Sequence, residues 1–256
     1  MQGEGVVGLI PILNEVNTVS EVIDSAFATH SIERLLVVDD GSTDGTLERL
    51  RAAEARYPGL DLIVRRDQTG FGSALLFGFR EALKRYSFSR LVELDGDMSH
   101  DPTVIPDLLR EEADLVIGSR YAEGGRIRNW SIARRTISFM ANSVARILLG
   151  LPIRDVTSGY RVYSRELVET IVDEANCGGY ELLVEAAWLA NHHGLSVRET
   201  PILFTERKHG ESKLATREEA AKFARFVLTK SAGRLKSRVL AGGPSQKTAT
   251  MPVRHR

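Results

Sequence analysis

Short apolar runs alternate with amphipathic helical stretches through the first half of this sequence. Strands buried on both faces read as continuous apolar runs, and the helices that cover them carry apolar residues at i, i+3, i+4 and i+7. This alternation requires right-handed crossovers, so it predicts an α/β fold whose mostly parallel, Rossmann-like sheet is flanked by helices. The predicted strands are residues 6–10, 35–38, 60–64, 91–94 and 115–117.

After Arg120 the alternation becomes less regular. An apolar stripe with helical spacing predicts one more helix. The stripe consists of Ile137, Met140, Ala141, Val144 and Leu148. Two further strands are expected around residues 157–163 and 201–204.

The C-terminal part of the sequence differs in composition from the rest. Residues 215–240 mix apolar and basic side chains and predict a long amphipathic helix. Residues 241–256 contain Gly, Pro, Ser and Thr without periodicity, so we expect a disordered basic tail. Residues 1–214 are therefore expected to form the main domain.

Charge and cysteine content narrow the choice of protein class. The chain is neutral overall, but residues 1–219 hold 25 basic against 34 acidic residues, and residues 220–256 hold nine basic residues and no acidic one. An acidic body with a basic tail indicates attraction to an anionic surface such as a membrane and disfavours a nucleic-acid partner. Cys177 is the only cysteine, so no intramolecular disulfide can form.

Two acidic motifs follow predicted strands, at the points where those strands end. They are Asp95-Gly96-Asp97 and Asp39-Asp40. Alone, each is also typical of a solvated Asx turn. Carboxylates at i and i+2 of an extended segment can share one hard divalent cation, which can hold a diphosphate. The other motif can accept from base N–H groups or ribose hydroxyls, so together they predict a nucleotide-sugar site.

Seven motifs occur in an order that resembles a known family. They are Pro11-Ile12-Leu13-Asn14-Glu15, residues 38–46, Asp95-Gly96-Asp97, Gly118-Ser119-Arg120-Tyr121, Asn129-Trp130, Thr157-Ser158-Gly159-Tyr160-Arg161 and residues 207–213. As a set they resemble the polyprenol-phosphate (dolichol-phosphate) mannosyl synthases, which are family 2 inverting glycosyltransferases of the GT-A fold. The resemblance makes residues 1–214 the catalytic domain. It implies transfer of mannose from GDP-mannose to a polyprenyl (dolichyl) phosphate.

The resemblance also implies roles for individual residues. Positions around the nucleotide are matched by Pro11, Leu13, Glu15, Asp40, Asp95 and Gly96. Leu13 stands where the family often has an aromatic residue. Asp95 and Asp97 match the metal motif, so the expected cofactor is Mg²⁺ or Mn²⁺. A third protein ligand is left open, because Ser99 stands where a Gln is common.

Catalytic and acceptor-binding residues follow from the same resemblance. Catalytic positions are matched by Asp95, Asp97, Arg120, Arg207 and Lys213, and acceptor-phosphate positions by Arg120, Arg134 and Ser138. A phosphate monoester loses its second proton near pH ~6, so at neutral pH the acceptor is already a nucleophile and needs no strong general base.

Other interpretations are open from the sequence. GDP-mannose is the favoured donor, and the rival within the same class is a transferase that uses a UDP sugar to supply glucose or another hexose. A rival from another class is a noncatalytic, membrane-associated sugar-nucleotide-binding subunit, against which the intact acidic and basic motifs speak. Arg120, Arg134 and Arg207 are each also consistent with surface arginines. We expect His100 in a solvated loop, Trp130 as a lid anchor or a core residue, and Glu185 as structural support.

The helix over residues 215–240 is predicted to lie in a membrane interface. A polyprenyl chain stays in the bilayer, so we expect Phe223, Phe226, Val227 and Leu228 to insert while basic residues face anionic headgroups. The helix could instead pack on the catalytic domain, and a small membrane-spanning partner subunit could dock there. The longest uncharged runs are shorter than a span of ~20 residues, so a peripheral location at the cytoplasmic face of a membrane is expected.

Overall fold

A computed structural model of the protein describes residues 5–66, 70–206 and 217–240. In chain order the elements are β1 (Val6–Ile12), α1 (Val19–Ala28), β2 (Arg34–Asp39), α2 (Thr46–Arg56), β3 (Leu60–Val64), α3 (Phe71–Arg85), β4 (Arg90–Glu93), α4 (Ile105–Leu109), β5 (Leu115–Ser119), β6 (Arg126–Arg128), α5 (Ile132–Leu149), β7 (Arg161–Ser164), α6 (Arg165–Glu174), α7 (Glu181–His192), β8 (Val197–Pro201), β9 (Leu203–Thr205) and α8 (Arg217–Leu240). A short 3₁₀ turn, Pro102–Val104, precedes α4.

Seven strands form one sheet in the order β3-β2-β1-β4-β7-β5-β8. β1 pairs in parallel with both β2 and β4. From β1 to β3 the strands are added on one side of β1, and β4 is then added on its other side, so the strand order reverses at β1. In open α/β sheets, ligands bind outside the carboxyl ends of the strands at such a switch point. The predicted α/β, mostly parallel GT-A architecture is confirmed.

Two apolar layers cover the two faces of the sheet. Successive residues of β2 alternate between them: Leu36 and Val38 pack with α3, α6 and α7, whereas Leu35 and Val37 pack with α1 and α4. Burial on both faces explains why the strands are continuous apolar runs.

Two predicted strands differ from those observed. The one expected around residues 157–163 begins only at Arg161, and as β7 it runs antiparallel to β4 and β5. The one expected around residues 201–204 is divided between β8 and β9, and β9 pairs with β6 in a separate two-stranded sheet.

The C-terminal helix α8 packs on the body of the protein. Phe226 and Val227 are buried in the same core as α3 and α7, and Phe223 packs against it. The expected insertion of Phe226 and Val227 into a membrane is therefore wrong, whereas Leu228 is exposed as expected. Among helices in the described ranges, none combines the length and apolarity needed to cross a bilayer. The predicted tail, residues 241–256, lies outside the described residues.

Candidate active site

Two cavities open at the carboxyl ends of the strands and share a wall. Their volumes are about 380 Å³ and 620 Å³, and both are lined by Asp95 and Asp97. The stacked rings of Phe71 and Tyr180, with centroids 4.6 Å apart, also border both. We call the smaller one the nucleotide cavity and the larger one the acceptor cavity, after the predicted residues that each contains.

The nucleotide cavity brings together every residue predicted to surround the nucleotide. Pro11, Leu13, Glu15, Asp40, Asp95 and Gly96 all line it. The beginning of α8 forms another part of its wall through Glu218, Glu219 and Lys222, which the sequence did not indicate. Lys222 donates to Glu219 and lies 2.9 Å from the Glu218 carboxylate.

The first acidic motif is held by a dense set of hydrogen bonds. Buried Asp39 accepts from the backbone N–H groups of Gly41 and Ser42 and from the Ser42 hydroxyl. Asp44 accepts from the Thr46 hydroxyl and from the N–H groups of Thr46 and Val16. Desolvation would raise the pKa of Asp44, but these hydrogen bonds outweigh it and lower that pKa. The motif therefore orders the turn that links β2 to α2.

Asp40 forms an ion pair with Arg65 that the sequence did not predict. Its two oxygens accept from Arg65 at 2.6 and 2.8 Å, and the second also accepts from the Gly70 N–H. Both side chains are buried. Asp40 thus fixes the entry to α3 as well as lining the nucleotide cavity, and its predicted contact with a nucleoside stays a prediction.

The Asp95-Gly96-Asp97 turn begins two residues after the end of β4. Asp97 is nearly buried and accepts from the Ser99 N–H at 2.9 Å, and the intervening Met98 has φ of 59°. Within the described ranges, no three His, Cys, Asp or Glu side chains are grouped as a metal site. Two carboxylates fit a hard divalent cation whose other ligands are phosphate and water oxygens, as is common for Mg²⁺. The residues present therefore suit the predicted cation.

His100 is not the solvated loop residue that we expected. It is 2% exposed, stacks on Tyr160 at 5.1 Å and meets Phe204 edge to face. Its Nδ1 lies 3.2 Å from the Asp95 carboxylate. Burial lowers the pKa of His100 against the opposing effect of Asp95, so a neutral imidazole supports the metal motif.

Glu93 lies beneath the site, at the end of β4. It is fully buried and accepts a 2.5 Å hydrogen bond from the Tyr163 hydroxyl. Its other oxygen, Oε1, has no hydrogen-bond partner among the described residues. Burial raises the pKa of Glu93 to about 8, so the side chain is largely protonated at neutral pH.

The three residues predicted to bind the acceptor phosphate, Arg120, Arg134 and Ser138, line the same cavity. Arg120 is buried rather than at the surface and forms two side-chain bonds of 2.7 and 2.8 Å to Asp155. Burial opposes the charge on Arg120, but the Asp155 carboxylate outweighs it and raises the pKa of the guanidinium. The fixed cation therefore remains charged beside Asp95 and Asp97.

Arg134 lies near the beginning of α5, which Ser131 caps through the Arg134 N–H. Its guanidinium pairs with Glu206 and stacks over Trp130, 4.4 Å from the ring centroid. Glu206 also lines the acceptor cavity. The Glu206 carboxylate thus forms an ion pair with Arg134, the side chain that is predicted to bind the acceptor phosphate.

A buried amide connects α5 to Arg120. Asn142 accepts from the Val156 N–H and donates to the hydroxyl of Thr157, which in turn accepts from Arg120 at 2.8 Å. The loop between α5 and β7 is therefore joined to α5 on one side and to the buried cation on the other.

Two predicted catalytic residues, Arg207 and Lys213, lie outside the described residues. Glu185 is structural, as expected, because it accepts from the N–H groups of Asn176 and Cys177 and lies 3.5 Å from the Lys230 ammonium. Arg65 and Asp155 were missed because ion pairs across 25 and 35 residues leave no periodic signal.

The family model for glycosyl transferase family 2 matches residues 9–172 of the chain. The chain belongs to glycosyl transferase family 2. The protein is accordingly a glycosyltransferase, and the stretch matched includes both acidic motifs and the two described arginines of the acceptor cavity.

Relatives of known name agree with the resemblance noted in the sequence. The chain is 40% identical over 214 residues to polyprenol monophosphomannose synthase of Mycolicibacterium smegmatis, covering 81% of this chain and 80% of the relative. It is 37% identical over 213 residues to undecaprenyl-phosphate mannosyltransferase of Micrococcus luteus, with coverage of 82% and 87%. Dolichol-phosphate mannosyltransferase of Pyrococcus furiosus is 36% identical over 214 residues, which are 80% of this chain and 58% of that longer relative.

Solved structures support the fold. Glucosyl-3-phosphoglycerate synthase from Mycobacterium tuberculosis, in complex with Mn²⁺, UDP and glucosyl-3-phosphoglycerate, superposes with a TM-score of 0.64 at 24% identity. The superposition covers 91% of this chain and 80% of that structure.

Proposed function

We propose that this glycosyltransferase moves mannose from GDP-mannose to a polyprenyl phosphate, with inversion, at a membrane surface. The observation that carries the proposal is the pair of cavities that meet at Asp95 and Asp97. One is lined by the predicted nucleotide residues, and the other is mainly apolar with two arginines. The names of the relatives, which specify mannose and polyprenyl phosphates, support the same donor sugar and acceptor.

The shared carboxylates support metal dependence. A divalent cation held by Asp95 and Asp97 would offset the charge that grows on the leaving diphosphate. Arg120 lies in the same cavity, kept charged and immobile by Asp155. A preorganised cation of this kind stabilises developing charge without reorganisation during the reaction.

The acceptor requires no deprotonation by the enzyme. A phosphate monoester is already nucleophilic at neutral pH, so the cavity has only to hold it in line with the anomeric carbon. Direct attack on the face opposite the diphosphate would give inversion. We propose that Arg134 and Ser138, which line the acceptor cavity, orient the phosphate. Arg207 and Lys213 are proposed to complete the set of cations.

An apolar surface on α5 supports a location at the membrane. Much of this helix is solvent-exposed, and Ile132 and Ile147 reach 86% and 73% exposure. The exposed apolar side chains are Ile132, Ile137, Phe139, Met140, Val144, Ile147 and Leu148. Exposed Arg128, Arg135 and Arg146 accompany them. An apolar helix face next to arginines suits an anionic lipid surface. We therefore propose that α5, rather than α8, contacts the membrane.

Vesicle co-sedimentation tests this location. Phe139→Asp with Ile147→Asp should remove most binding to anionic vesicles and leave nucleotide binding intact. Ala55→Asp on exposed α2, in the opposite layer, is the matched control. Unchanged vesicle binding would overturn the assignment, and a change in oligomeric state instead would make α5 a contact between copies.

The reaction itself is tested with purified protein, Mn²⁺ or Mg²⁺, a panel of labelled nucleotide sugars and a polyprenyl phosphate in detergent. We expect lipid-linked mannose from GDP-mannose alone, and the anomeric configuration of the product tests inversion. Product from a UDP sugar would support the rival hexosyltransferase, and activity in EDTA would contradict metal dependence.

A further inference from the structure

Trp130 lines the acceptor cavity and carries a buried hydrogen-bond donor. Its indole Nε1 is buried, and among the described residues it has no hydrogen-bond acceptor. The ring itself is half-buried and lines the cavity. An indole N–H can only donate, and leaving a buried donor unpaired costs about 1–3 kcal/mol. Such a donor at a cavity wall is explained if a ligand supplies the acceptor.

The surroundings of the ring indicate the charge of that ligand. Arg134 lies 4.4 Å and Arg120 5.3 Å from the ring centroid, so two guanidinium groups contact one indole. Both arginines line the same cavity. An anion that pairs with either arginine is therefore brought close to the indole ring. A phosphate monoester has three terminal oxygens, which allows each donor to take one.

The ring is held firmly in this position. Phe204 meets it edge to face with centroids 5.3 Å apart. The preceding residue, Asn129, has φ of 67°, in the left-handed region that Asn tolerates better than most residues. Strained backbone of this kind concentrates at functional sites, where it fixes a side chain in advance.

We infer that the Trp130 indole N–H donates a hydrogen bond to a phosphate oxygen of the acceptor. This rests on the proposed function, in which the acceptor is a prenyl phosphate. Trp130 would then be a binding residue of the acceptor site rather than a lid anchor or a core residue. Its ring would also pack against both guanidinium groups.

The first test is kinetic. Trp130→Phe keeps an aromatic face for both arginines and removes only the donor and one ring. We expect the KM for farnesyl phosphate to rise about tenfold or more, as for the loss of one hydrogen bond to a charged group, with the KM for the nucleotide sugar unchanged. Replacing Trp130 with β-(3-benzothienyl)alanine, which substitutes sulfur for the N–H at nearly constant size, should give the same result. An unchanged acceptor KM in both variants would overturn the inference.

The matched control is Trp188→Phe, since Trp188 lies on α7 against His192 and Lys230. This variant should behave as wild type. It also leaves Trp130 as the only tryptophan, because the chain has two. Its fluorescence should change with farnesyl phosphate, change at higher concentration with inorganic phosphate, and stay constant with farnesol. A response to farnesol equal to that for farnesyl phosphate would also overturn the inference.

The two hypotheses fail in distinguishable ways. If wild type transfers mannose to no prenyl phosphate, the proposed function is wrong, and the fluorescence titration with inorganic phosphate still decides whether Trp130 contacts a phosphate. If wild type is active and both Trp130 variants retain the wild-type acceptor KM, only the role of Trp130 is wrong.

Discussion

Replacing Glu93 by Gln should remove a large pH dependence of stability. The pKa of Glu93 is raised from 4.5 to about 8, chiefly by burial. Between those values the native protein holds a proton on Glu93 that the unfolded chain has released. Stability therefore falls as pH rises through this window, by about 1.4 kcal/mol per pH unit from this one group. Over the whole window the loss is ~5 kcal/mol, which is an upper bound.

Gln is close in shape to the protonated acid and can accept the Tyr163 hydrogen bond, but it does not titrate. The stability of Glu93→Gln relative to wild type should therefore increase from pH 5 to pH 8 and be constant above that. In a chain of this size each 1 kcal/mol corresponds to about 2–4 °C in Tm. If about two thirds of the upper bound is realised, ~3.3 kcal/mol, the Tm of Glu93→Gln should therefore exceed that of wild type by about 7–13 °C at pH 8.

The assay is thermal unfolding followed by circular dichroism at pH 5, 6, 7 and 8. Glu81→Gln is the matched control, because ion pairs with Lys84 and Arg85 lower the pKa of Glu81 and it stays ionised throughout this range. Its Tm should run parallel to that of wild type. Parallel profiles for Glu93→Gln as well would refute the buried, protonated state of Glu93.

Three further outcomes are expected. Asp97→Ala should lower the rate of transfer ~10²–10³-fold at saturating Mn²⁺ with the fold intact, and near-normal turnover would contradict the metal assignment. Glu206→Gln should lower the KM for the prenyl phosphate severalfold, because the neutral amide releases Arg134; an unchanged KM would show that Glu206 does not compete with the acceptor. Asp155→Ala leaves the Arg120 charge buried without its carboxylate and should destabilise the protein by ~3–5 kcal/mol in urea unfolding, whereas a loss below about 1 kcal/mol would contradict this pairing.

The strands and the strand-end carboxylates could be predicted because both depend on local patterns. An apolar run buried on two faces needs no knowledge of its neighbours, and Asp95 and Asp97 follow such a run directly. The antiparallel direction of β7 could not be predicted in this way, since strand direction depends on how the chain returns to the sheet.

Long-range partners explain the remaining differences. The apolar stripe of α8 is equally compatible with a membrane and with a core, and only the packing of Phe226 and Val227 decides between them. His100 looked solvated because it sits in a polar motif, yet Tyr160 and Phe204 reach it from 60 and 104 residues further along the chain. Family resemblance located the arginines, but the partner of Arg120 emerged only from the fold.

The helix that carries the exposed apolar face, α5, also lines the acceptor cavity through Arg134, Ile137, Ser138 and Ala141. Only Asn142, Ala145 and Leu149 of α5 are buried, so packing alone anchors this helix weakly. The hydrogen bonds of Asn142 to Val156 and Thr157 join α5 to the loop that contacts Arg120. A buried, satisfied polar network specifies geometry more sharply than apolar contacts do. Hydrogen bonds join α5, the loop that follows it and the buried Arg120. A lipid surface in contact with α5 would thus determine how far the acceptor cavity lies below the lipid headgroups.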